Sequence, residues 1–222
     1  MAAYDLQEQE QIENLKAWWK QYGNLAIGCV CAAAIAVAGW TTWSGYQTRQ
    51  DAQSGEIYAA LQQAIRQNEE IQVRSLTGEL TDKFGNTSYA ALGVLIAARH
   101  AVGAGDAKTA KAQLAWAIEH GKDEFADIAR LRLAGLLLDE NEHDEAIKLL
   151  DHPPAPAFAA SYAELKGDVF FAKNDAKAAR AAWQEAKTLL ENNEGKTSAS
   201  TETSITLMLL QQKIDALGGA AA

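Results

Sequence analysis

Proline is almost missing from these 222 residues; the three present all fall within 153–156. Proline is the residue that most reliably stops a helix, so long helices are permitted nearly everywhere else. Runs of Val, Ile and Thr are also missing, which argues against strands. Alanine is abundant, which argues for helix. Cysteine is confined to Cys29 and Cys31. Residues two apart on a helix point to different faces, so these two cannot pair with each other. They also make no C-x-x-C redox or metal motif, and the chain beyond them is indifferent to an oxidising compartment. A surplus of positive charge is lacking too: the formal net charge is −9. Beyond residue 43 the chain holds 18 basic and 25 acidic groups. That balance speaks against a nucleic-acid partner, which needs a clustered basic face, and against a soluble domain lying on anionic lipid.

Charge of either sign is missing between Lys20 and Arg49. The apolar heart of this stretch, 24–43, is 20 residues long. At about 1.5 Å per helical residue it matches the ~30 Å hydrocarbon core of a bilayer. Trp18, Trp19 and Tyr22 precede it and Trp40, Trp43 and Tyr46 follow it, a two-sided aromatic belt. Ala36-Val37-Ala38 resembles a signal-peptidase site, but the preceding segment is long and carries Asp5, Glu8, Glu10 and Glu13, whereas a signal peptide opens with a short basic region. An uncleaved single-span anchor is expected. Lys16 and Lys20 before the span, against Arg49 after it, predict a short N-terminal tail inside and a large domain outside. Gly28, Ala32, Ala36 and Gly39 fall at spacings of four, four and three. That pattern offers a small-residue face on which another membrane helix can pack closely.

The rest of the chain is helix pairs. A helix is expected over 50–68 and another over 69–84, broken by Gly85-Asn86. An internal repeat follows. Gly105-Asp106 leads to Ala110 and Leu114, Asn141-Glu142 to Ala146 and Leu150, and Asn174-Asp175 to Ala179 and Trp183. The three alanines lie 36 and 33 residues apart. Twelve residues before each stands another small residue, Ala98, Ala134 or Gly167. A period near 34, with small residues where two helices of a hairpin must approach, is the tetratricopeptide signature. Such units cannot bury their apolar faces alone, so several must stack. The expected fold is therefore all-α: one transmembrane helix, then a tetratricopeptide-like α-solenoid. Its pairs are expected at about 50–84, 88–120, 124–152 and 157–191, the first degenerate, with a polar loop over 192–203 and a capping helix at about 204–217.

Catalytic and metal motifs are missing. His100, His120, His143 and His152 never take a ligand spacing. The acidic run 139–145 lacks the glycine and terminal glutamate of a calcium loop and reads as a solvated turn. No nucleophile elbow or Cys/His pairing occurs. Asn86-Thr87-Ser88 matches a glycosylation sequon but reads as a turn. No enzyme activity, metal or cofactor is expected. Binding is expected on the concave face, built from the first helix of each pair. In the tetratricopeptide register that face takes Leu92, Leu95, Arg99 and Val102, then Ile128, Leu131 and Leu138, then Ser161, Glu164, Asp168 and Phe171. Several of the apolar ones read as ordinary core, and for each taken singly core is the favoured reading.

With the anchor and repeats in place, the chain resembles the YfgM family, ancillary subunits of the bacterial SecYEG translocon. The resemblance covers nearly the whole chain. It rests on EQIENLKAWWKQYGN (10–24) leading directly into the span, on Gly39-Trp40-x-x-Trp43 at its exit, on Ala129-Arg130-Leu131-Arg132-Leu133-Ala134, and on Gly167-Asp168 followed by NDAKAARAAW (174–183). The longer polar loop before the last helix departs from the family pattern. The resemblance implies a cytoplasmic segment 1–23, an inner-membrane span 24–43 and a periplasmic domain 44–222. It implies partnership with SecYEG and a PpiD-type periplasmic chaperone, contact with unfolded secretory polypeptides, and no catalytic residues. The competing expectation is a scaffold for another envelope complex, in cell division or outer-membrane assembly, since the fold does not fix the function.

Overall fold

The computed structural model describes residues 2–122, 124–194 and 201–218. Among them the secondary structure is helix and turn, with no strand. The chain divides into two units, 1–50 and 51–222. Helix α1, Ala2–Gln67, spans the division; its separate start expected near residue 50 is not seen. Nothing in 44–56 would stop a helix except Gly45 and Gly55, and each costs only about 1 kcal/mol there.

In the first unit Leu25, Ile27, Ile35, Val37, Trp40 and Trp43 are all exposed. By length and composition this is one helix able to cross a membrane. An apolar surface of that extent is not left in water. Gly28, Ala32, Ala36 and Gly39 are exposed too, with open space beside both glycines.

The second unit begins with the end of α1 and continues through α2 (Glu70–Phe84), α3 (Ser88–Gly103), α4 (Ala107–His120), α5 (Glu124–Asp139), α6 (His143–Leu150), α7 (Ala159–Ala172), α8 (Ala176–Glu194) and α9 (Thr201–Gly218). Part of the polar stretch read as a loop over 192–203 is helical at either end; 195–200 lie outside the described residues.

Among the described residues one turn recurs four times. Asn68, Gly105, Asn141 and Asn174 all have positive φ, between 55° and 77°. After each, the next residue's N–H returns to a carbonyl five positions earlier: Glu69 to Ala64, Asp106 to Ala101, Glu142 to Leu137, Asp175 to Phe170. The turn residue itself bonds three back, to Ile65, Val102, Leu138 and Phe171. This is the Schellman ending, and it favours glycine or asparagine because other side chains resist a left-handed backbone. At two of the turns the aspartate that follows also caps the next helix: Asp106 Oδ1 accepts from Thr109 N–H at 3.0 Å and Asp175 Oδ1 from Ala178 N–H at 3.0 Å.

The repeated small residues explain the packing. Ala110, Ala146 and Ala179 are wholly buried, and Ala98, Ala134 and Gly167 are buried opposite them. A continuous core runs from Val94 and Ala98 in α3 through Leu114, Leu133 and Leu150 to Tyr162 and Val169 in α7. Smaller clusters close the two ends, one around Leu61 and Leu80 and one around Trp183 and Leu210. Leu61, Leu80, Leu114 and Leu210 are at most 1 % exposed, and each contributes roughly 1.5–3 kcal/mol by burial.

Between α5 and α7 the helices are tied by a buried carboxylate. Asp127, 4 % exposed, accepts from Ala155 N–H at 2.8 Å, from Arg130 Nη1 at 3.1 Å and from Tyr162 Oη at 3.0 Å. Three donors, one of them cationic, repay the cost of burying the charge. The proline-bearing connection 151–158 is thereby held against α5.

Candidate binding groove

The first helices of the pairs, α3, α5 and α7, carry the expected groove residues, and the last turns of α1 lie beside α3. Two cavities open between them. One, of about 710 Å³, lies between the end of α1 and the end of α3 and includes Gln62, Ile65, Arg66, Ile96, Arg99 and His100. The other, of about 440 Å³, lies between α3 and α5 and includes Arg99, Val102, Arg132, Leu136 and Asp139. Arg99 lines both. Open clefts of this size, part apolar and with a few polar groups, suit a segment of polypeptide.

Arg99 and Val102 are exposed in these clefts, and Leu92 is half-buried on the same helix. Leu95 is not a groove residue: it is 3 % exposed and packed in the core. Ile128, Leu131 and Leu138 are half-buried, and all three pack against the same core. Ser161 is exposed and Phe171 is 55 % exposed beside Trp183.

Glu164 and Asp168 belong to a different arrangement. Lys213 of α9 reaches across to both, with Nζ 3.1 Å from Glu164 Oε1 and 2.8 Å from Asp168 Oδ1. Asp168 Oδ1 also accepts from Trp183 Nε1 at 2.9 Å, and the Lys213 ammonium lies 5.6 Å from the Trp183 ring centre. Burial disfavours the Lys213 charge, but the Asp168 and Glu164 carboxylates outweigh it and hold its pKa above the ordinary lysine value. These two acids therefore hold the capping helix in place. The tetratricopeptide register locates the helix face they occupy but cannot reveal that α9 lies over it.

The sequence reading missed Arg66, His100 and Arg132. A signal was present: Arg66, Arg99 and Arg132 stand 33 residues apart, close to the repeat period. Arg132 Nη1 donates to the Leu95 carbonyl at 3.0 Å. Burial, with the neighbouring Arg99 charge, lowers its pKa.

Stacked helix pairs with a repeated Schellman turn and small residues at the crossings define a tetratricopeptide-type fold. The chain belongs to the tetratricopeptide repeat-like domain family, whose model matches residues 16–219. Within it, the relatives are ancillary SecYEG translocon subunits, the YfgM family expected from the sequence. The Neisseria gonorrhoeae subunit is 29 % identical over 222 residues, 98 % of this chain and all of that protein. The Escherichia coli subunit is 30 % identical over 182 residues, covering 80 % and 85 % of the two chains, and the Haemophilus influenzae subunit 29 % identical over 186 residues, covering 83 % and 91 %.

Proposed function

We propose that this chain is a non-catalytic, single-span subunit of the SecYEG translocon that links emerging secretory proteins to a periplasmic chaperone of the PpiD type. The observation that carries the reading is the likeness to ancillary translocon subunits over nearly the full length, anchor included. Residues 1–23 are the cytoplasmic segment, 24–43 the inner-membrane span and 44–222 the periplasmic domain. Lys16 and Lys20 before the span support that orientation. The anchor supplies proximity: a domain tethered at the membrane meets its partners there at high effective concentration. The small-residue face at Gly28, Ala32, Ala36 and Gly39 serves for packing within the bilayer, and the open concave face outside it serves for holding polypeptide.

Affinity purification of the full-length protein in mild detergent tests this. SecY and a PpiD-type chaperone are expected in the eluate, with SecY depleted when 24–43 is replaced by an unrelated span. Recovery of neither, under conditions that keep the translocon intact, overturns the reading in favour of a scaffold for another envelope complex.

A further inference from the structure

Two adjoining cavities of this acidic protein are lined by a row of arginines. Arg66, Arg99 and Arg132 come one from each of α1, α3 and α5. They are not at equivalent repeat positions. Counted back from the left-handed residue that ends each pair's first helix, Arg66 lies two before Asn68, Arg99 six before Gly105 and Arg132 nine before Asn141. Steps of four and three keep a residue on one helical stripe while moving it about one turn each time. The arginines thus form a diagonal ladder. Its continuity is direct, since Arg66 and Arg99 share one cavity and Arg99 and Arg132 share the next.

The ladder is unneutralised. Among the described residues none of the three arginines forms an ion pair. Glu70 lines the first cavity and Asp139 the second, yet neither pairs with them. In a chain of net charge −9, where acids are plentiful, three neighbouring exposed guanidinium groups stand without a carboxylate partner and are open to one from another molecule. Beside Arg66 and Arg99, His100 presents a further unmet need: its Nε2 is buried with no hydrogen-bond partner. Ile65 and Ile96 add apolar surface to the same cavity.

Resting on the proposed polypeptide-holding role, we infer that the groove takes an extended acidic peptide segment, with carboxylates about three residues apart on Arg66, Arg99 and Arg132 and an apolar side chain over Ile65 and Ile96. The spacing follows from geometry. Neighbouring helices lie about 8–10 Å apart, and the one-turn offset lengthens the step slightly. Three residues of extended chain, at about 3.3–3.6 Å each, cover that step. Arginine's planar fork suits carboxylates better than lysine's point charge does, and all three positions are arginine.

The test uses the full-length protein in detergent micelles and a fluorescent peptide with glutamate at every third position and alanine or leucine between, against its glutamine counterpart. The glutamate peptide is expected to bind at least roughly tenfold more tightly, since charge-assisted bonds are about twice as strong as neutral ones. The doubly substituted Arg66→Gln, Arg99→Gln protein, with unchanged melting, is expected to lose that preference. Arg132 is left intact because it tethers α5 to α3. Equal binding of the two peptides by the unsubstituted protein, or a preference that survives the double substitution, overturns the inference. So does a double variant that loses binding to phosphatidylglycerol vesicles while keeping the peptide preference, which would make the ladder a lipid site. Recovery of SecY by the unsubstituted protein is scored in the same preparations, so failure of the translocon reading is seen separately from failure of the ladder.

Discussion

Tyr162 of α7 donates its hydroxyl to Oδ1 of Asp127 in α5 at 3.0 Å, a bond between residues 35 positions apart that lies wholly inside the protein. Burial, reinforced by the Asp127 charge, pushes the Tyr162 phenol up to about 12. The native state therefore keeps its proton where an unfolded tyrosine, near 10, releases it. The resulting contribution to stability is complete below pH 10 and is lost as pH rises from 10 to about 12. Tyr162→Phe should cost roughly 1–2 kcal/mol at neutral pH through the lost bond. It should also flatten the alkaline fall in stability. Urea melts at pH 7, 10 and 11 check both, and an unaltered alkaline slope in the variant would remove Tyr162 as its source.

Gly167 packs against a tryptophan. A Cβ built there would lie 2.3 Å from Trp183 Cδ1 and 2.4 Å from Nε1, so Gly167→Ala forces the indole to move and strains its bond to Asp168. The greater helix propensity of alanine cannot compensate. Net destabilisation of about 1–3 kcal/mol is expected from overpacking, measurable as a lower melting temperature with a red-shifted tryptophan emission.

Lys213→Met removes the cation that joins α9 to Glu164 and Asp168. Side-chain exposure of Lys213 is 33 %, so solvent screening limits the loss to about 1 kcal/mol. The effect should be local: hydrogen exchange should quicken in α9 and α8 and stay unchanged in α3–α5. Because the native Lys213 pKa is raised, its stabilisation is complete below the unfolded lysine value and disappears as pH rises through the native one. The difference between the proteins should therefore vanish in strong alkali.

Arg99 and Asp168 stand six residues before the left-handed turn in their respective helices, yet they should respond oppositely. Arg99→Gln alters an exposed side chain without an ion pair among the described residues, and its melting should lie within about 0.5 kcal/mol of the unsubstituted protein. Asp168→Asn weakens bonds to Trp183 and Lys213 and should lower stability by roughly 1–2 kcal/mol. Equal melting of the two variants would contradict the assignment of Asp168 to the cap.

Protease added to spheroplasts should digest the helical repeats and spare 1–23. Cleavage restricted to the first segment would reverse the proposed orientation.

The helical class, the apolar span and the period of the repeat are properties of residue order alone. A charge-free, mostly apolar stretch of 20 residues is long enough for one membrane helix. Asn174-Asp175 and Gly105-Asp106 encode a left-handed ending and a helix cap within two residues. Positions such as Ala110 and Ala179 announce close helix crossings because only small side chains fit there. What each groove position does was settled by contacts between distant segments. Leu95 and Val102 are equally apolar, but the core encloses one and leaves the other 44 % exposed. Asp168 and Arg99 share a position in their repeats, but α9 lies across the first and nothing described pairs with the second. Periodicity reports which face of a helix a residue takes; only tertiary packing decides what comes to rest against that face.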